Sequence, residues 1–257
     1  MSDTLTYVYA VARDVDDAAL DGLRGIGGRP VRVVTVGRLA AVVSDADRAE
    51  FEERALEERL EDLEWLAATA RAHHHVVDTL GRGHLLAPLA LATVYFDDDR
   101  VRAVLTDSRE TFDGVLDRLA GRAEFGLKVY ARRGGRGATA GRERAASGAE
   151  YLRRRRQALR EGDTALDEAR EAAAEVDTAV TALAVASRTH RLQDATLSGT
   201  SEPMVLNRAH LVPVERAGEL AALVDTLAEH PRIRVEVTGP WVPYSFAQTQ
   251  QAQQDQP

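Results

Sequence analysis

The 257-residue sequence contains no cysteine, so neither a disulfide framework nor a thiolate metal site can form. Long hydrophobic runs are missing as well: the longest, Leu85 to Phe96, is short and broken by Pro88. The first residues carry no basic leader ahead of an apolar core, and neither secretion nor a membrane span is expected. Positive charge is in the minority, with 33 Lys and Arg against 41 Asp and Glu and a formal net charge of -8. Affinity for nucleic acid rests on neutralising phosphates with a basic face, so this balance argues against nucleic acid as the main partner. Aromatic residues are scarce at 5% (two Trp, six Tyr, five Phe). What is present, 44% hydrophobic and 29% charged residues, describes an ordinary globular chain. It is long enough for one large domain or for two of about 120 residues.

The few aromatics are concentrated. Thr238-Gly-Pro-Trp-Val-Pro-Tyr-Ser-Phe246 holds three of them and two of the eight prolines, directly after the alternating run Ile233-Arg-Val-Glu-Val237. Gly239 opens backbone angles closed to other residues, while Pro240 and Pro243 fix φ and deny the segment both helix and an inner-strand ladder. A stiff, extended C-terminal aromatic arm is expected. Trp241, Tyr244 and Phe246 then either clamp onto the arm's own domain or dock into a partner.

Periodicity gives the order of elements. Strands are expected over Leu5 to Ala12, Val31 to Val36 and Leu39 to Ser44, with a short helical stretch near Asp16 to Leu23. A long helix follows, whose stripe Leu56, Leu60, Leu63, Ala67, Ala70, His74 and Val77 must face a sheet or another helix. Strand Leu89 to Phe96 and a helix with Val101, Val104, Phe112, Val115 and Leu119 on one face close the first half. Strand Phe125 to Arg132 opens the second half. Gly134 to Gly148 has no apolar period and reads as a mobile connection. Ser147 with Glu150 forms a capping box. The helix it starts extends past Gly162 into the stripe Leu166, Ala169, Ala173, Val176, Val180 and Leu183. Strands near Leu192 to Ser198 and Met204 to Val214, a helix from Glu215 to Glu229 and strand Arg232 to Thr238 complete the order. The expected class is α+β, with two tandem ferredoxin-like (split βαβ) modules over residues 1–122 and 123–246. A glutamine-rich tail, residues 247–257, has nothing to bury and is expected to be disordered.

Candidate chemistry is sparse. His73, His74 and His75 suggest a metal cluster, but consecutive helical residues point some 100° apart, whereas shared ligands sit three or four apart. One of the three faces the core, and the stripe assigns that place to His74. Asp97-Asp98-Asp99 lacks the EF-hand spacing and reads as a helix cap ahead of Val101. Gly134 to Gly141 follows a strand but fits neither the P-loop nor the dinucleotide fingerprint, so it reads as a linker. Arg153 to Arg156 points all round its helix, paired with Glu150 and Glu161 on a solvated face. No catalytic, cofactor-binding or metal-binding constellation stands out, so the chain is not read as an enzyme and no cofactor is expected.

Several segments agree, in order, with one known family. The closing Gly239-Pro-Trp-Val-Pro-Tyr-Ser-Phe246 resembles the C-terminal signature of the GvpL/GvpF gas vesicle proteins. Thr6-Tyr-Val-Tyr-Ala10 and Gly37-Arg-Leu-Ala-Ala-Val-Val-Ser44 are similar to the family's first strands. His74-His-Val-Val-Asp-Thr-Leu80 with Leu86-Ala-Pro-Leu-Ala-Leu-Ala-Thr-Val94 is similar to its central block, and Ser147-Gly-Ala-Glu-Tyr-Leu152 to its helix start. The chain departs from the pattern at His75, where an acidic residue is common, and at Ala90-Leu91-Ala92, where Arg-Phe-Gly is common. The resemblance implies an accessory or minor structural protein of gas vesicle assembly, located at the gas vesicle or in the cytoplasm. It implies binding to the small hydrophobic major shell protein and to other accessory proteins, with Trp241, Tyr244 and Phe246 as candidate partner-binding residues. The competing class is a regulatory protein that senses a small molecule between its ferredoxin-like modules.

Overall fold

A computed structural model describes residues 3–15, 17–132, 148–193, 202–227 and 230–247. In chain order the strands are β1 (Thr4–Arg13), β2 (Arg32–Val36), β3 (Leu39–Asp47), β4 (Leu86–Pro88), β5 (Val94–Tyr95), β6 (Arg122–Ala131), β7 (Ala186–Thr189), β8 (Met204–Pro213) and β9 (Ile233–Trp241). The helices are α1 (Arg48–Phe51), α2 (Glu53–Leu60), α3 (Leu63–Gly81), α4 (Asp98–Asp107), α5 (Arg109–Leu119), α6 (Gly148–Thr181), α7 (Ala217–Leu227) and α8 (Tyr244–Ala247). The protein is thus a mixture of helix and sheet with two antiparallel sheets. It divides into two compact units: residues 1–122 together with the chain from Trp241 onward, and residues 123–240. The expected second module ran on to residue 246, but the segment that follows Pro240 belongs to the first unit.

In the first unit the sheet order is β2-β3-β1-β4, with β5 also on β1. β1 is central and buried from Leu5 to Ala12, which is why Leu-Thr-Tyr-Val-Tyr-Ala-Val-Ala shows no clean polar alternation. Its register against β3 shifts between Val8 and Ala10. This bulge puts Tyr9 and Ala10 in the same core cluster as Leu5, Tyr7 and Ala12. It turns Arg13 the other way, where its guanidinium pairs with Asp113 and Asp117 of α5, both at 2.6 Å. Before the bulge Thr6 also faces that way, donating to Asp98 of α4 at 2.9 Å.

Of the single strand expected over Leu89 to Phe96 only Val94–Tyr95 is strand, and β4 lies ahead of it at Leu86–Pro88. β4 pairs with Ala10 to Ala12 and β5 with Thr6 and Tyr7, on either side of the bulge. Between them Ala92 takes a φ of 63°, and its N–H donates to the Tyr7 hydroxyl at 3.0 Å. The single helix expected to carry Val101, Val104, Phe112, Val115 and Leu119 on one face breaks at Ser108, where ψ is 18°. Asp97 caps α4 by accepting from the Arg100 N–H at 2.8 Å, as its position ahead of Val101 suggested.

The long helix carrying Leu56 to Val77 is also broken. α2 ends at Leu60, and Asp62 caps a new helix by accepting from the N–H groups of Glu64 and Trp65. The break resets the rotational phase, so a period counted from Leu56 and Leu60 arrives one residue late. The face of α3 that is buried is Thr69, His73, Val76, Val77 and Leu80. His74 is exposed, and Leu60 and Leu63 are 44% and 78% exposed.

In the second unit the sheet order is β7-β8-β6-β9. Its core joins Phe125, Leu127 and Val129 of β6 to Ala169, Ala173, Val176 and Val180 of α6, with Val212, Leu220 and Ile233. α6 runs unbroken through Gly162, as expected. Of the strand expected at Leu192 to Ser198, residues 194–198 lie outside the described residues; ahead of it, β7 pairs antiparallel with β8 from Ala186 opposite Leu211. The expected linker at 134–146, the Ser147 cap and the tail from residue 248 lie outside the described residues.

Candidate interaction site

A cluster of rings stands where the C-terminal segment meets α3 and β1 in the first unit. The three consecutive histidines of α3 diverge, because each residue turns the helix by about 100°. His73 is buried at 3% exposure, while His74 and His75 face outward. Nδ1 of His73 lies 2.9 Å from the hydroxyl of Tyr7. That hydroxyl also accepts from the Ala92 N–H at 3.0 Å, so the Tyr7 oxygen links α3 to the turn at Ala92. Burial pushes the His73 pKa down to about 4, with exposed His74 adding a smaller effect of the same sign. Burial likewise raises the Tyr7 and Tyr9 hydroxyls above their ordinary range. The rings of Tyr7 and Tyr9 stand 5.7 and 5.5 Å from the His73 ring.

The C-terminal segment closes over this cluster. Val242 and Tyr244 pack against the core that holds Tyr7, Tyr9, Val77 and Leu80. Val242 seats on the last residue of α3, Gly81. A Cβ at Gly81 would stand 2.4 Å from the Val242 Cγ2, so only glycine permits this approach. Tyr244 stacks on His74 with ring centroids 6.0 Å apart and an interplanar angle of 25°. Its ring is also 6.1 Å from His73. Burial, and then the Asp78 carboxylate, raise its phenol pKa. The Tyr244 hydroxyl and Nε2 of His73 are both buried without a hydrogen-bond partner among the described residues. Phe246 is 4% exposed, and its carbonyl accepts from the Arg118 guanidinium of α5 at 3.0 Å.

Of the three predicted partner-binding residues, then, Phe246 is an anchor, Tyr244 is half-buried, and Trp241 stands out at 46% exposure. Trp241 lies edge-on to His74 at 6.5 Å. Clamp and exposed surface are thus divided between the two ends of the segment, with Phe246 buried and Trp241 exposed. The reason is α8: Tyr244 to Ala247 turn into a short helix against α5 and β4, which carries Phe246 inward instead of leaving it at a free end. Sequence reasoning missed Tyr7, Tyr9 and His73 as members of this cluster. The available signals were the Tyr-x-Tyr alternation of β1 and the Asp62 cap, which together fix the side of α3 that meets those rings. Among the described residues no three His, Asp or Glu side chains converge on a point that could hold a metal ion. What the arrangement offers chemically is an apolar, aromatic surface on a rigid base.

Residues 5–248 match the family described as gas vesicle synthesis protein GvpL/GvpF. Gas vesicle protein L of Streptomyces sp. (strain CB03234) is 44% identical over 96% of this chain and 94% of its own length. Gas vesicle protein F of the same strain is 29% identical over 95% of this chain and 99% of its own. The fold is that of the crystal structure of the gas vesicle protein GvpF from Anabaena sp. PCC7120, at a TM-score of 0.67 and 18% identity, covering 96% of this chain and 97% of that one. On this whole-length match the chain belongs to the GvpL/GvpF family of gas vesicle synthesis proteins.

Proposed function

We propose that this chain is a non-enzymatic accessory protein of gas vesicle formation that binds the small hydrophobic major shell protein while the shell nucleates or grows. Membership of the family supports the first half of that reading. The observation that carries the second is Trp241, held nearly half exposed at the end of β9 while Val242, Tyr244 and Phe246 behind it are fixed into the first unit. A partly exposed tryptophan on an immobile base loses little conformational freedom on binding, and Trp is the residue type most enriched at interface hot spots. The formal charge of -8 keeps a complex with an apolar subunit in solution. The reading extends to other gas vesicle accessory proteins as partners and to a place at the vesicle or in the surrounding cytoplasm.

The fold reading that goes with it is two tandem ferredoxin-like modules. Counting strands within each unit, β4-β1-β3-β2 and β9-β6-β8-β7 both follow the order fourth, first, third, second of a split βαβ sheet. The test is retention of the shell protein on the immobilised full chain, compared between wild type and Trp241→Ala. The variant is expected to melt as the wild type does and to lose binding by about tenfold or more. Equal retention by both would remove Trp241 from the contact. A wild-type chain that retains no shell protein would overturn the function itself.

A further inference from the structure

We infer that copies of this chain join head to tail, the arginine-rich first half of α6 in one copy seating on the acidic surface of α2 and the start of α3 in the next. Every described residue from Leu152 to Ala165 is exposed, so about 20 Å of helix, at 1.5 Å per residue, projects with none of the described residues of its own unit burying it. An unsupported helix of that length is marginal in water. The stripe that enters the core of the second unit through Leu166, Ala173 and Val180 continues at the same seven-residue spacing into this projection as Leu159 and Leu152, which are 61% and 55% exposed. Around these leucines stand Arg153 to Arg156 and Arg160, with no acidic residue between positions 151 and 160. Glu150 is engaged by Arg154 at 2.6 Å and Glu161 by Gln157 at 3.0 Å. Arg153 and Arg156 have no carboxylate partner among the described residues.

The complement is in the first unit. Residues 50–64 carry eight Asp and Glu against two Arg, and Glu52, Glu53, Glu57, Glu58, Glu61, Asp62 and Glu64 are all exposed. Leu60 and Leu63, the residues the break between α2 and α3 turns outward, stand among those carboxylates. A basic helix with two exposed leucines therefore faces, in another copy, an acidic helical corner with two exposed leucines. Opposite charges rim the contact, and leucine on leucine supplies its apolar centre. The two surfaces differ, so the contact is heterologous, and each copy keeps one free surface of each kind for the next.

The experiment is sedimentation of the full chain at low and high salt, over concentrations from about 1 to about 100 μM. Two charge-reversed variants accompany it: Arg153→Glu with Arg156→Glu, and Glu57→Arg with Glu58→Arg. At low salt the wild-type mass is expected to climb with concentration from the single-chain 28.0 kDa, and to climb less at high salt. Each variant alone is expected to stay at one chain. Mixed in equal amounts they are expected to associate, because one retains the acidic surface and the other the basic helix. Recovery on mixing also shows that both variants are folded. A wild-type mass independent of concentration, a variant that assembles alone as the wild type does, or a mixture that remains single-chain would each overturn the inference.

Discussion

Acidification should loosen the first unit through His73. In the folded protein its pKa lies at about 4 rather than the ordinary 6.5, because the ring is buried among Tyr7, Tyr9 and Tyr244, with a smaller effect of the same sign from His74. Below 6.5 the unfolded chain gains a proton that the folded chain refuses. Stability is therefore complete above that value and falls as the pH drops toward 4, where the loss levels off. By linkage this costs about 2 kcal/mol between pH values of about 7.5 and about 5, and about 3 kcal/mol by pH of about 4. Both tryptophans, Trp65 and Trp241, belong to the first unit, so urea unfolding followed by tryptophan fluorescence reports on that unit selectively. His210 of the second unit is fully buried, and its pKa is also lowered by burial. The informative quantity is accordingly the difference between wild type and His73→Gln, which keeps an acceptor for Tyr7 but cannot be protonated. The variant should be less stable at neutral pH and lose about 2 kcal/mol less on going to pH of about 5. Parallel stability curves for the two proteins across this range would refute the argument.

Replacement of His73 by Asp, which buries a carboxylate among rings, should destabilise the first unit by about 3 kcal/mol or more, while His74→Asp should cost under about 1 kcal/mol; urea midpoints decide, and equal effects would mean the phase of α3 is misread. Gly81→Ala should cost about 1 to 3 kcal/mol by driving a Cβ into Val242, and a second change, Val242→Ala, should return part of it, a coupling that a double-mutant cycle measures. Phe246→Ala should cost about 3 to 5 kcal/mol as a buried aromatic deletion. Trp241→Ala should cost far less by the same melts, and a reversed ranking would place the anchor at Trp241.

The strands were readable where a short apolar run is bounded by turn residues. Val31 to Val36 and Leu39 to Ser44 fall within a residue or so of β2 and most of β3, since Gly37-Arg38 separates two such runs, the second of them buried from Leu39 to Ser44. What was not readable depends on single residues that switch geometry. Asp62 ends one helix and begins another, and nothing in the 3.6-residue period of Leu56, Leu60 and Leu63 announces the reset. The turn at Ala92 is held by a side chain, Tyr7, 85 residues away, which local propensity cannot register. For the candidate site, composition and proline placement singled out Trp241, Tyr244 and Phe246, but which of them is exposed was decided by α8 and by the fit of Val242 on Gly81.

Because the chain passes through residues 123–240 before Trp241 to Ala247 reach the rings of α3, the first unit is the last to be finished. During synthesis the sheet around β1 must wait for about 120 further residues, roughly 10 s at ordinary elongation rates, with His73 and the Gly81 end of α3 uncovered. A chain that stops short of Trp241 retains every strand of the first sheet and every helix from α1 to α7, yet lacks the cover for its own N-terminal core. Trp241 to Ala247 thus act as a completion signal: only a chain translated through this segment presents a closed first unit, with Trp241 in place beside it.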